Sequence, residues 1–140
     1  MKLKIFKIIL MLLLIIPLWK SHVVDNNIDA TIIEIKKEDI FNQKGDYFVL
    51  FFQQSCLSCK NSILYINIVL KNLEYNFFCV EVLSSSINSC DDKSNIGIND
   101  FILISVCKVP SLFFIEKGMI TCEIVGFNNI RYYLDLLKRE

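Results

Sequence analysis

The stretch Tyr47-Phe-Val-Leu-Phe-Phe-Gln-Gln-Ser-Cys56-Leu-Ser-Cys59-Lys60 decides the fold of this 140-residue chain. Its first six residues, Tyr47–Phe52, are apolar without interruption, which is typical of a central strand covered on both faces. From Cys56 onward the pattern changes to a helical period, with one stripe at spacings of three and four formed by Cys59, Ile63, Ile66, Leu70 and Leu73. The sequence therefore predicts a buried strand followed by a C-x-x-C pair that opens a helix.

Further elements are predicted on both sides of this stretch. Strands are expected at Ala30–Ile35 and Phe77–Leu83, and as a hairpin at Ser111–Ile115 and Met119–Val125 around Lys117-Gly118. Helices are expected at Lys37–Lys44, Asp100–Val106 and Ile130–Lys138, the last capped by Asn128-Asn129, and the polar stretch Ser84–Asn95 is expected to be a loop. A strand–helix alternation that ends in a hairpin implies an α/β fold, in which a mixed sheet has helices on both faces.

The N-terminus has the pattern of an export segment. Lys2, Lys4 and Lys7 precede an uncharged apolar run of 12 residues, Ile8–Trp19. At about 1.5 Å per residue this run spans roughly 18 Å as a helix, which is short of the ~30 Å hydrocarbon core of a bilayer. It therefore fits a signal peptide better than a full membrane span.

Cleavage of this segment is a separate question. No clean small-x-small site follows the apolar run, which leaves an uncleaved membrane anchor through residues 5–19 as the alternative. Either interpretation assigns residues 1–22 to targeting and residues 23–140 to one domain. The domain is expected outside the cytoplasm, in a bacterial periplasm or a secretory pathway.

The charge distribution excludes one class of partner. The whole chain has 15 basic and 15 acidic residues, but four of the lysines lie in residues 1–20, where there is no acid. The rest has 11 basic and 15 acidic residues, a net charge of −4. Such a domain lacks the basic surface that nucleic-acid binding needs, so no nucleic acid is expected as a partner.

The C-x-x-C pair has the chemistry of dithiol exchange. Cys56 is placed among unpaired N–H groups at the positive end of a helix, where thiols have pKa values of roughly 3.5–7.5 in place of about 8.5. Cys56 is therefore the expected nucleophile, and Cys59, one turn into the helix on its apolar stripe, is the expected resolving thiol. A zinc site and a purely structural disulfide use the same spacing and remain as alternatives. Neither a metal nor a cofactor beyond the Cys56–Cys59 disulfide is expected.

From about Ile32 to the C-terminus, some 110 residues, the chain resembles the thioredoxin superfamily. Phe48-Val-Leu-Phe-Phe-Gln-Gln-Ser-Cys56-Leu-Ser-Cys59-Lys60 is similar to the strand and active site of that family. Lys108-Val-Pro110-Ser-Leu-Phe-Phe-Ile-Glu-Lys-Gly118 is similar to its cis-proline segment and hairpin, and Gly126 matches a common family glycine. The resemblance implies a thioredoxin-like three-layer sandwich.

The resemblance also implies roles for individual residues. Val109 and Pro110 would form a cis peptide that faces the cysteine pair and binds an extended segment of the substrate. Three departures weaken the parallel: Ser55 replaces a tryptophan, Leu50 replaces a buried acid, and Leu57-Ser58 replaces Gly-Pro. The central dipeptide, which also lacks the histidine of strongly oxidising relatives, favours a reductant or a partner-specific exchanger.

Two functions compete at this point. The first is a thiol–disulfide oxidoreductase that acts on exported cysteine-containing proteins and is recharged by a redox partner protein. The second is a redox-inactive adaptor or chaperone module, which the departures favour but which has no need of the cysteine pair. Among the other cysteines, the sequence favours packing roles for Cys79, Cys122 and Cys107, and leaves open a disulfide between Cys90 and Cys107.

Overall fold

A computed structural model describes residues 32–85 and 93–139. Five strands are present: β1 Ile33–Glu34, β2 Tyr47–Phe52, β3 Asn76–Glu81, β4 Ser111–Glu116 and β5 Met119–Val125. Two α-helices lie wholly within these residues, α1 Leu57–Val69 and α2 Phe127–Leu137, with short 3₁₀ helices at Lys37–Asn42, Leu70–Asn72 and Phe101–Leu103.

The strands form one mixed sheet in the order β1-β3-β2-β4-β5. β2 lies at the centre, parallel to β3 and antiparallel to β4. All six residues of β2 are buried, as the unbroken apolar run Tyr47–Phe52 predicts. The C-terminal end of this fully covered strand leads directly into the cysteine pair.

Each face of the sheet has its own core. One face packs against α1 and α2, and its buried cluster includes Phe48, Leu50, Cys59, Ile66 and Leu134. The other face is covered by the 3₁₀ helices Lys37–Asn42 and Phe101–Leu103 and by the segment that follows the second of them and leads to β4. The buried cluster on this face includes Ile40, Phe51, Ile104, Val106 and Phe113. The predicted fold class, an α/β sandwich with helical layers on both faces of a mixed sheet, is confirmed, although the second layer is thinner than the first.

Some predicted elements differ from the structure. The helix expected over Asp100–Val106 is only a 3₁₀ turn at Phe101–Leu103, because Ile104 and Val106 are buried on either side of a half-exposed Ser105, the period of an extended chain. The last helix begins at Phe127, with Gly126 as N-cap, so the expected Asn128-Asn129 cap is wrong.

Two other predicted elements are present with small shifts, whereas the stretch predicted as a loop, Ser84–Asn95, begins with helical backbone at Ser84 and Ser85 and lies largely outside the described residues. The element at Lys37–Lys44 is a 3₁₀ helix that ends at Asn42, and the strand expected over Phe77–Leu83 is β3, Asn76–Glu81. The predicted export segment, residues 1–22, lies outside the described residues. In the part of the chain that is described, no helix has both the length and the apolar character to cross a bilayer.

Candidate functional site

The cysteine pair lies where β2 ends and α1 begins. Cys56 is the N-cap of α1 with an extended backbone, φ −85° and ψ 112°. Its Sγ accepts the backbone N–H of Cys59 at 3.1 Å, and its carbonyl accepts the N–H of Lys60 at 3.1 Å. The sulfur therefore takes the position of a capping oxygen at the positive end of the helix dipole.

Cys56 and Cys59 form a disulfide in this structure, with their Cα atoms 5.2 Å apart. Their exposures differ: Cys56 is half-buried, whereas Cys59 has no exposed surface. Leu57, between them, is 73% exposed. An incoming sulfur can thus approach Cys56 while Cys59 faces the core.

A second loop completes the site from the start of β4. The Val109–Pro110 peptide bond is cis, and the carbonyl oxygen of Val109 lies 3.9 Å from the Sγ of Cys56. Two hydrogen bonds hold this loop: Ser111 Oγ donates to the Lys108 carbonyl at 2.7 Å, and the Gly126 N–H donates to the Pro110 carbonyl at 2.8 Å. The structure thus brings all four predicted site residues, Cys56, Cys59, Val109 and Pro110, into one place.

Sequence reasoning missed the part played by Ser111. Its side chain is only 2% exposed and its hydroxyl closes the turn before Pro110. The available signal was a hydroxyl residue directly after the proline, at the head of the otherwise apolar strand Ser111-Leu-Phe-Phe-Ile. A buried hydroxyl needs a partner, and the nearest backbone carbonyls are those of its own turn.

The space beneath Cys59 is apolar. Leu50 has no exposed surface and belongs to the same buried cluster as Cys59. Its register partner on β3 is Cys79, whose pKa is raised to about 11, chiefly by burial and further by the nearby charge of Glu34. Among the described residues the buried polar side chains are Ser62, Asn95 and Ser111, so no described carboxylate is buried in either core.

The other cysteines separate into two groups. Cys79 and Cys122 are free, and burial raises the pKa of the Cys122 thiol as well, so both are poor nucleophiles. Cys107 is disulfide-bonded, which corrects the packing role that the sequence favours for it. Cys90, its proposed partner, lies outside the described residues. In the described segments no group of three or more histidine, cysteine or acidic side chains is placed to hold a metal ion.

Solved structures similar to this chain include thioredoxins from three organisms. Spinach chloroplast thioredoxin f, short form, has a TM-score of 0.55 and 14% identity, covering 82% of this chain and 99% of its own. Trichomonas vaginalis thioredoxin has a TM-score of 0.54 and 24% identity, covering 80% and 99%. Schistosoma mansoni thioredoxin has a TM-score of 0.53 and 21% identity, covering 79% and 95%.

Sequence comparison assigns the chain to no family. No protein-family model matches the chain, and no curated protein matches it in sequence. The likeness therefore lies in the path of the backbone. The chain has a thioredoxin-like fold, with a closed C-x-x-C disulfide at the end of its central strand.

Proposed function

We propose that this protein is a thiol–disulfide oxidoreductase in which Cys56 attacks and Cys59 resolves. The observation that supports the proposal is the asymmetry of the pair. The Cys56 sulfur is half-buried at a helix N-terminus and accepts an N–H, whereas Cys59 has no exposed surface. A structural disulfide needs no difference in exposure between its two sulfurs. An exchange reaction does, because one sulfur must be accessible to the substrate and the other must react only after the mixed disulfide has formed.

The first step uses the environment of Cys56. In the reduced protein, the Cys59 N–H and the helix dipole favour the Cys56 thiolate over the thiol. The thiolate attacks one sulfur of a substrate disulfide and forms a mixed disulfide. The other substrate sulfur leaves as a thiolate and takes a proton from water.

The second step uses Cys59. Its thiol loses a proton and attacks the Cys56 sulfur, which releases the second substrate sulfur as a thiolate and closes the Cys56–Cys59 disulfide. Two electrons have then passed to the substrate, and the protein is in the disulfide state described above. In the reverse direction the same steps oxidise a substrate dithiol.

The substrate is a protein segment that lies along the loop at Val109 and Pro110. The Val109 carbonyl oxygen is 3.9 Å from the Cys56 sulfur. An extended substrate segment that is hydrogen-bonded to this loop would therefore bring a cysteine of the substrate to Cys56. With the export pattern of residues 1–22, this favours exported cysteine-containing proteins as substrates and a redox partner protein that recharges the pair.

Trapping of mixed disulfides tests the proposal. Cys59→Ser protein should retain substrate through Cys56 as a reducible adduct, because the resolving thiol is gone, whereas Cys56→Ser protein should retain none. Cys122→Ser protein is the matched control, since Cys122 is a free half-buried thiol outside the site, and it should turn over normally. Adducts through Cys59 would reverse the assignment, and their absence from every variant would favour a redox-inactive adaptor.

A further inference from the structure

The two α-helices form one layer with an unusual outer surface. Helices α1 and α2 pack side by side on the same sheet face, and Tyr65 of α1 hydrogen-bonds Asp135 of α2. Five large apolar residues lie on their outward side. They are Leu57 (73% exposed), Leu64 (63%), Ile68 (70%), Tyr132 (68%) and Leu136 (42%). We call this surface the helix face.

The positions of these side chains follow the helical period. Leu57, Leu64 and Ile68 are seven and four residues apart, so they form one stripe along α1, and Tyr132 and Leu136 are four apart on α2. A second stripe on each helix, with Ile66 on α1 and Leu134 on α2, is already buried against the sheet. Each helix is therefore apolar on two sides, the side buried against the sheet and the side that faces away from the core.

The charges of the helix face differ from those of the rest of the domain. Residues 57–72 and 127–139 contain five basic side chains and one acidic side chain, Asp135, whose partners are Lys138 and Arg131. The remaining described residues contain six basic and nine acidic side chains. α1 itself contains no acid, and its stripe is flanked by exposed Lys60 and, in the following turn, Lys71. The two helices are thus net basic, whereas the rest of the described residues are net acidic.

The chain reaches the domain on this side. The backbone N–H of Ile32 donates to the Oδ1 of Asn67 on α1 at 3.0 Å, and Asn67 directly precedes Ile68 of the stripe in sequence. The first described residue, Ile32, therefore lies beside the helix face, and 12 residues of sequence separate it from Trp19, the end of the apolar run.

We propose that the helix face docks on a lipid bilayer that carries anionic headgroups. Exposed apolar side chains with flanking lysines are the features that bind helices parallel to such a surface. Charge disfavours the other occupants: the chain's own N-terminal segment begins with Lys2, Lys4 and Lys7, and a second copy would bring the same basic face. Because Leu57 separates the two cysteines, docking places Cys56 at the level of the headgroups, whatever reaction it performs.

Fluorescence quenching in the full-length protein tests this surface. Trp19 is the only tryptophan, so a Trp19→Phe background can carry one reporter at a time. Leu64→Trp and Ile68→Trp place the reporter on the helix face. Ile102→Trp is the matched control, since Ile102 is 71% exposed on the 3₁₀ helix at the opposite sheet face. The quencher is brominated acyl chains in phosphatidylcholine vesicles, with or without phosphatidylglycerol.

In vesicles with phosphatidylglycerol, both helix-face reporters should be quenched and the Ile102→Trp reporter should not. Adding Lys60→Glu and Lys71→Glu to the Leu64→Trp protein should raise the lipid concentration needed for half-maximal quenching by about tenfold or more. High salt should also raise that concentration for the Leu64→Trp protein that keeps both lysines. Equal quenching of the control, or no quenching on the helix face, would overturn the proposal. Blue-shifted emission from the helix-face reporters without vesicles would also overturn it, because the N-terminal segment or a second copy would then cover the face.

Discussion

Leu50 sets the conditions for the second half of the proposed exchange reaction. It lies in the central strand, without exposed surface, in the same cluster as Cys59, and its neighbour across β2 and β3 is the neutral thiol Cys79. An apolar surrounding disfavours the Cys59 thiolate, and no described carboxylate is buried nearby to take its proton. Resolution of the mixed disulfide is therefore expected to be slow.

Replacing Leu50 by an acid tests this account. Leu50→Asp should speed the decay of the mixed disulfide above neutral pH, because the carboxylate can accept the proton of Cys59. It should also lower the free energy of unfolding by about 1–3 kcal/mol or more, since a carboxylate without a partner is buried. Stopped-flow measurement of the decay between pH 6 and 9 gives the rates, and urea unfolding gives the stability.

Leu50→Asn is the matched control for that experiment. The amide has the same shape as the carboxylate and disturbs the core in a similar way, but it accepts no proton at these pH values. Acceleration by Asp and not by Asn would assign the effect to proton transfer. Equal decay in all three folded proteins would mean that Cys59 loses its proton by another route.

Single residues also mark the limit of sequence reasoning. The position of Cys56 and Cys59 between an apolar strand and a helix followed from the change of periodicity at that point, which is local information, and their roles as nucleophile and resolving thiol remain predictions. The bonded state of Cys107 did not, because the pairing of two cysteines far apart in the chain depends on where the fold brings their Cβ atoms. Ser111 was missed for a similar reason, since its value lies in a hydrogen bond to Lys108 that only the folded turn creates.

At the scale of elements, Gly126 controls where the last helix begins. Its φ of 90° and ψ of 144° belong to a region that is essentially restricted to glycine, and its N–H donates to the Pro110 carbonyl. A Cβ at this position would meet no atom within 4 Å, so the cost of a substitution lies in the backbone alone.

Gly126→Ala should therefore destabilise the protein by about 1–3 kcal/mol, through strain between β5 and α2. Urea unfolding should show a lower midpoint with an unchanged m-value. Asn128→Ala, at an exposed position in the first turn of the same helix, should change stability little. A Gly126→Ala protein as stable as the parent would show that this backbone conformation is not required.

The elements that were predicted well are those in which one periodicity dominates. The unbroken run of β2 and the hairpin around Lys117-Gly118 needed no tertiary information, and both turn residues have the positive φ that the hairpin requires, 52° and 78°. The start of α2 was placed too late because tertiary contacts decide it: Phe127 packs its ring against Tyr65 of α1, with centroids 6.4 Å apart.

For the whole molecule, location follows from the N-terminal pattern and remains a prediction. A reporter enzyme that is active only outside the cytoplasm, fused after Glu140, should be active in the full-length chain. Deleting residues 1–20 should abolish that activity while leaving the amount of fusion protein similar, because the lysines and the apolar run are then gone. Reporter activity that survives the deletion would mean that this segment does not direct export.

The disulfide at the site closes a ring between residues only three apart in sequence, within the first turn of one helix. The loop-closure entropy that a cross-link removes from an unfolded chain grows with the length of the loop, and for so short a loop it is near its minimum. Opening the Cys56–Cys59 bond therefore adds little conformational entropy to the unfolded chain. The sheet and both helical layers remain joined by the same contacts. The exchange reaction proposed for this pair therefore requires no change in the architecture of the fold.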